Sequence, residues 1–246
     1  MKIGIIGAGH LGATLARKLV AAGHDVKLAA SKGPDAVRDR ATELGAVPVA
    51  SAQAVQDVDA VIVSIPLANI PDLAPVLAAV PPEVPVIDTS NYYPMRDGAI
   101  SALDGGMPES VWVSEQLGRP VIKAFNAVLA HTLAARGQPT GTAGRLAIPV
   151  AGDDPRGKAV AMALVDAAGF DALDAGDLAG SWRQQPGTPA YCTELTVEEL
   201  RPALDAADQA RAPAHREALI QEFIARGDTA THEDMVARNR AVTAPR

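Results

Sequence analysis

Three glycines stand in the run Gly7-Ala8-Gly9-His10-Leu11-Gly12, which has the spacing G-x-G-x-x-G. That spacing suits a diphosphate. Gly7 permits a tight turn, Gly9 lets the backbone approach a pyrophosphate, and Gly12 lets a helix pack closely on a strand. Unpaired N–H groups at the helix N-terminus then face the anion. The string by itself says little, and its context decides the reading. Ile3, Ile5 and Ile6 form a strand ending at Gly7, and Leu11, Leu15 and Leu19 recur every four residues as a helix face. A strand–glycine loop–helix unit of this kind predicts dinucleotide binding. The plainer alternative is that the glycines serve only a sharp turn.

The end of the second strand chooses between dinucleotides. An NAD site usually carries an acidic residue about 20 residues beyond the glycines, bonded to the ribose 2′-hydroxyl. Here Ser31-Lys32 occupies that place, and Asp35 follows only after Gly33-Pro34. A hydroxyl and an ammonium suit a 2′-phosphate, and no carboxylate repels it. The reading is therefore NADP(H) rather than NAD(H), against the bland possibility of a solvated loop lysine.

A second ligand would lie outside the carboxyl ends of the strands. Ile65-Pro66, Thr89-Ser90-Asn91 and Phe125-Asn126 each follow a predicted strand there. Aromatic residues number eight, and seven of them lie between Tyr92 and Tyr191. Tyr92, Tyr93 and Trp182 are candidates to stack on a planar polar ligand, whereas Phe170 and Trp112 read as core.

What is missing also constrains the chemistry. There is no Tyr-x-x-x-Lys pair, and the five histidines are scattered, with no Cys/His grouping at metal spacing. Asp154 of Asp153-Asp154 reads as a helix cap rather than half of a catalytic pair. Hydride transfer to another redox cofactor needs no protein nucleophile. It needs two rings held at hydride distance, so positioning supplies most of the effect.

Positioning requires a scaffold, and the chain supplies a regular one. Predicted strands at Val26–Ala30, Ala46–Val49, Ala60–Ile65, Val84–Asp88 and Val121–Ala124 alternate with helical patterns. Asn69–Val80 looks helical despite Pro75 within it, and Ser114–Leu117 is a small helix in the long Thr89–Pro120 connection. Helix Ala127–Arg136, strand Leu146–Val150, helix Pro155–Ala168 and a short strand at Leu173–Ala175 follow. This alternation predicts an α/β fold with a doubly wound, mostly parallel sheet over residues 1–180. Residues 181–246 change character, with helical patterns near Leu195–Ala207 and His215–Ile224, and read as a C-terminal helical extension packed on the sheet domain or a partner subunit.

Bulk composition agrees with such a fold. The chain has 246 residues, 48% hydrophobic and 21% charged, enough to bury a core without disulfides. A net charge of −7 argues against a nucleic-acid partner. The apolar stretch 60–88 holds six prolines and is no bilayer span, so no membrane association is expected. Lys2 before apolar residues resembles a signal peptide only superficially, because four glycines fall by position 12. One cysteine, Cys192, precludes an internal disulfide and suits a reducing cytosol.

Several segments together resemble the coenzyme F420-dependent NADP oxidoreductases, and the related cytosolic domains of the STEAP metalloreductases look similar. They are Gly7 to Gly12, Ser31-Lys32, Val63-Ser64-Ile65-Pro66, Asp88-Thr89-Ser90-Asn91, Lys123-Ala124-Phe125-Asn126 and Val150-Ala151-Gly152-Asp153-Asp154, then Gly169-Phe170 and Leu173-Asp174-Ala175-Gly176. Their order along residues 1–180 is more specific than any one of them. The resemblance implies a Rossmann-type domain passing hydride between NADPH and a deazaflavin (coenzyme F420) or a flavin (FMN or FAD). It sets the pyrophosphate at the first loop, the 2′-phosphate at Ser31-Lys32, and Ile65-Pro66 and Phe125-Asn126 beside the nicotinamide. Asn69, Ser90, Asn91 and Ala124 complete the expected cofactor site.

The chain departs from the pattern at Tyr92-Tyr93-Pro94-Met95-Arg96-Asp97-Gly98 and at Ser181-Trp182-Arg183-Gln184-Gln185-Pro186-Gly187. Tyr92, Tyr93, Trp182 and Arg183 are accordingly the expected contacts of the second substrate. The resemblance and the tail both suggest a homodimer. Two other readings compete. One is a reductase of a small imine or carbonyl compound, like the pyrroline-carboxylate reductases and β-hydroxyacid dehydrogenases. The latter use a Lys-x-x-x-Asn helix, whereas Lys123 and Asn126 are three apart and Lys158 has Met162 at the fourth place. The other is an NADP(H)-binding sensor without turnover.

Overall fold

The computed structural model describes residues 1–244. Six strands form one sheet: β1 (Lys2–Ile6), β2 (Asp25–Ala29), β3 (Val47–Val49), β4 (Ala60–Val63), β5 (Val86–Asp88) and β6 (Ile122–Lys123), in the order β3-β2-β1-β4-β5-β6. Every pairing in it is parallel, with Ile3 opposite Val26 on one side and Ala60 on the other. The order reverses between β1 and β4, which opens a crevice at the carboxyl ends of the strands. This is the expected Rossmann-type architecture.

Alternation along the strands divides the core into two apolar layers. Ile3, Ile5, Leu28 and Ile62 face one way, toward Leu15 and Leu19 of helix His10–Ala21 and Leu164 of helix Pro155–Ala167. Ile6, Val61 and Val63 face the other, toward Leu67, Leu77 and Trp112. All four residues of β4 are buried, as a strand covered on both faces requires.

Four sequence expectations need correction. The helix expected over Asn69–Val80 is broken into 3-10 turns Leu67–Asn69 and Pro71–Leu73 and a short helix Ala74–Leu77. Pro71 and Pro75 each lack an N–H and can only open a new turn. The helix expected at Ser114–Leu117 runs from Glu109 to Leu117. Strands β7 (Ala147–Val150) and β8 (Asp171–Asp174) pair with each other, parallel, as a separate two-stranded sheet. It meets β6 through an antiparallel bridge between Lys123 and Ala151. Among the described residues the tail holds three α-helices rather than two: Val197–Asp205, Ala212–Arg226 and His232–Thr243.

Helix Pro155–Ala167 is capped as the sequence suggests. The Asp154 carboxylate accepts from the backbone N–H of Gly157 (2.8 Å) and of Arg156 (3.2 Å). Replacing it with alanine (D154A) is expected to cost about 1 kcal/mol and about 2–4 °C of melting temperature in a chain of this size. An unchanged melting curve would remove the cap from the argument.

The tail lies against the body. Leu200 and Leu204 pack on Leu173 and Ala190, and Gln209 donates to the Gly106 carbonyl (2.9 Å). The Thr132 hydroxyl donates to the Glu194 carboxylate (2.7 Å), and within the tail His232 pairs with that carboxylate at 2.7 Å while the Arg240 guanidinium reaches the Thr193 and Glu194 carbonyls. Among the described residues no helix is long and apolar enough to cross a membrane.

Candidate functional site

The glycine loop joins β1 to helix His10–Ala21 with no side-chain cap, so the first amides of that helix keep their donors. Gly7 has φ +118° and donates to the Ala29 carbonyl. A Cβ there would lie 2.0 Å from the Ser64 carbonyl oxygen. A Cβ on Gly12 would lie 2.0 Å from the Gly7 carbonyl oxygen, so helix and loop touch backbone to backbone. Gly9 differs: it is exposed, and nothing lies within 4 Å of where its Cβ would be. The protein makes no internal use of that space, which is the property a diphosphate needs of its cradle. Ala8 and Leu11 are half-buried against the core, and His10 is exposed.

Ser31 and Lys32 form the corners of a turn closed by the Gly33 amide on the Ala30 carbonyl, and both are exposed. The nearest carboxylate in sequence, Asp35, is taken up by an ion pair with Arg38. The end of β2 therefore presents an ammonium with no competing anion of its own turn. These residues fit an NADP(H) molecule, with Gly7 to Gly12 against the diphosphate and Ser31 and Lys32 toward the 2′-phosphate.

The loops after β4, β5 and β6 open on the same edge. Pro66 and Asn69 are exposed, and Ile65 and Asn91 half-buried. Three amides fasten these loops together. The Asn126 Nδ2 donates to Asn91 Oδ1 (3.0 Å) and to the Gln184 carbonyl (2.8 Å), while Gln184 Nε2 donates to Asn126 Oδ1 (2.9 Å). Asn91 Nδ2 returns a bond to the Asn126 carbonyl at 3.0 Å. The tail thus fixes the crevice floor through Gln184, a residue the sequence pattern did not distinguish from its neighbours.

Beneath the floor lies a charge cluster. Lys123, with no exposed surface, donates to the Ser90 carbonyl (2.7 Å) and lies 3.5 Å from Asp88 and 3.4 Å from Glu109. Asp88 also accepts from the Ser90 hydroxyl and amide and from the Ser110 hydroxyl. Burial raises the Glu109 carboxyl above its ordinary range, and the Lys123 ammonium opposes that rise. Lys123 is therefore a positioning residue that ties β5, β6 and helix Glu109–Leu117 together. Its burial rules out direct proton exchange with a ligand in this conformation.

Several expected contacts are placed differently from the sequence reading. The Phe125 ring is fully buried beside Leu133, Ile148 and Phe170, with its backbone at φ +61°. It is a core ring, so any part Phe125 takes beside a nicotinamide falls to its backbone. Ala124, Ser90 and Asn126 are buried too, and position the loops rather than display side chains. Tyr92 is only 1% exposed. Its hydroxyl reaches the Asp104 carboxylate (2.9 Å) and the Gly98 carbonyl (3.1 Å) and accepts from the Ile100 amide (2.9 Å), so it is built into the fold rather than free to stack. The Tyr93 hydroxyl pairs with that of Tyr191 at 2.5 Å. Trp182 is half-buried with the Arg183 guanidinium 4.4 Å from its ring centre, so one of its faces is covered.

Comparison with known proteins agrees with this geometry. Residues 2–92 match the family model described as NADP oxidoreductase coenzyme F420-dependent. The Escherichia coli (strain K12) protein YjhV is 41% identical over 107 residues, which is 44% of this chain and 78% of YjhV. The crystal structure of the hypothetical protein SMa0349 from Sinorhizobium meliloti superposes with a TM-score of 0.69 at 30% identity, over 80% of this chain and 95% of that one. The chain belongs to the coenzyme F420-dependent NADP oxidoreductase family. It is an NADP-dependent oxidoreductase. A protein from Arthrobacter sp. fb24, provisionally named an F420-dependent NADP-reductase, shares the fold with a TM-score of 0.57 at 24% identity, over 72% of this chain and 86% of its own.

Proposed function

We propose that this family member passes hydride between NADPH and a deazaflavin of the coenzyme F420 type, or a flavin such as FMN or FAD. The observation that carries the NADPH half of the reading is the open backbone at Gly9 together with a β2 turn whose exposed Lys32 faces no carboxylate of its own turn, and the family match supports the acceptor half. When bound, NADPH supplies the hydride. The protein's part is to hold the diphosphate on bare amides, to recognise the 2′-phosphate with Ser31 and Lys32, and to keep the floor of Asn91, Asn126 and Gln184 rigid. Rigidity matters because orientation alone removes much of the barrier to a transfer between two bound rings. The planar acceptor would be met at Pro66, Asn69 and Asn91.

The lone thiol, Cys192, supports work in the reducing cytosol. Its burial pushes its pKa up to about 12, so it is an inert thiol rather than a nucleophile. The helical tail supports a homodimer, which light scattering on the purified chain would test.

Replacing Lys32 with glutamate (K32E) tests the cofactor half. It is expected to weaken NADPH by at least tenfold and to bring NADH to parity or better, because a carboxylate repels the 2′-phosphate and suits the 2′-hydroxyl. Equal use of NADP and NAD by the wild type would overturn the assignment. The acceptor half is tested by following NADPH oxidation with deazaflavin, FMN and FAD, and in parallel with cyclic imines and small aldehydes. Turnover with only the last two would transfer the reading to imine or carbonyl reduction. NADPH binding without any turnover would make the chain a sensor.

A further inference from the structure

Two cavities lie where helix Ala212–Arg226 covers the loops after β5, and Arg216 lines both. The smaller, about 50 Å³, is walled by Glu109, Trp182, Gln185 and Arg216 among others. The larger, about 190 Å³, is mainly apolar, with Leu219, Ile220, Phe223 and Met235 on one side and the paired Tyr93 and Tyr191 on the other.

Two polar groups here are unbalanced, Arg216 on the wall of both cavities and Gln185 on the wall of the smaller. Arg216 Nε is buried and has no hydrogen-bond partner, and the same holds for Gln185 Nε2. Among the described residues no ion pair includes Arg216. Its guanidinium lies 5.3 Å from the centre of the Tyr92 ring, which holds a cation but accepts little from Nε. The nearby carboxyls are engaged elsewhere, Glu109 with Lys123 and Asp104 with the Tyr92 hydroxyl. Buried donors without acceptors are rare in folded proteins, and a charged one is the least tolerated. What both donors lack is an acceptor, and beside an unpaired guanidinium an anionic one gains most.

Size limits the rest of the ligand. An engineered apolar cavity of about 150 Å³ takes up benzene, so the larger cavity accepts a body of six to eight carbons, on the order of a ring with a short side chain.

We propose that the two cavities form one binding site for a small monocarboxylate with an apolar body. The carboxylate sits on Arg216 and Gln185, and the body lies among Leu219, Ile220, Phe223 and Met235. The site is separate from the glycine loop and requires no nicotinamide cofactor, so it stands or falls independently of the acceptor assignment.

The test is calorimetric titration of the full chain, without cofactor, with benzoate, phenylacetate, benzyl alcohol and acetate. Benzoate or phenylacetate is expected to bind at millimolar concentration or better, with benzyl alcohol and acetate each at least tenfold weaker. Arg216→Met is expected to weaken the aromatic acid at least tenfold. Ile220→Trp, which fills the apolar cavity and leaves the charge, is expected to exclude it. Far-ultraviolet circular dichroism checks that each variant is folded. No binding of either aromatic acid overturns the proposal, as does equal binding of benzoate and benzyl alcohol by the wild type. If Arg216→Met does not fold, the wild-type comparison of acid against alcohol still decides. Retention of wild-type affinity by a folded Arg216→Met would assign the ligand to another place.

Discussion

Replacing Gly9 with valine is expected to abolish NADP(H) binding while leaving the protein folded. Gly9 has φ −68° and ψ −172°, extended backbone that any residue adopts. Its Cβ position has no neighbour within 4 Å, so the substitution strains nothing. Surface changes of that kind usually shift stability by about 0.5 kcal/mol or less. The same side chain would fill the space a diphosphate must enter. An increase in Kd of at least about 100-fold is expected, which corresponds to roughly 2.7 kcal/mol, with the melting temperature moved by no more than about 2 °C. Titration with NADPH and a melting curve on the same sample measure both. Retention of the wild-type Kd would show that the loop does not hold the cofactor. Gly12 offers no such test. Its Cβ would sit 2.0 Å from the Gly7 carbonyl, so Gly12→Ala disturbs fold and site together.

Replacing Lys123 with methionine is expected to produce the largest loss of stability of any change considered. The substitution keeps the apolar stem and removes the ammonium. Asp88 and Glu109 then share a buried site with no cation between them. Breaking a buried pair in this way costs about 3–5 kcal/mol, or roughly 6–20 °C in a chain of this length. The double variant Lys123→Met with Asp88→Asn is expected to recover part of the loss, because the amide removes one of the two buried carboxylates left without a cation. A drop of under 2 °C in the single variant would show that the cluster is not coupled to folding.

The α/β architecture was legible from the N-terminal half because its signals are local. β1, its glycine loop and the following helix are contiguous, and the all-apolar β4 announces a strand covered on both faces. The aromatic residues misled for the opposite reason. Tyr92 and Phe125 carry the rings expected of a flat ligand's pocket, yet whether such a ring faces ligand or core depends on elements distant in sequence. For Tyr92 that is Arg216 on the helix Ala212–Arg226, and for Phe125 they are Ile148 and Phe170. Glu109 and Arg216 gave no signal at all, since a single Glu or Arg in a helical stretch reads as a solvated face. Asn69–Val80 showed a conflict at Pro75 that the fold resolved by breaking the helix.

The order of residues by itself determined the diphosphate loop, the cationic turn after β2 and the alternation of strands and helices. Each of these rests on neighbours within one turn or one strand, where backbone geometry follows directly from side-chain type. Only the tertiary structure decided that Lys123 is shared by Asp88 and Glu109, that Gln184 locks Asn126, and that Arg216 stands over Tyr92 without an anion. Those pairings join residues 14 to 124 positions apart, and burial, which sets the strength of each charge and hydrogen bond, is a property of the packed chain rather than of any segment in it.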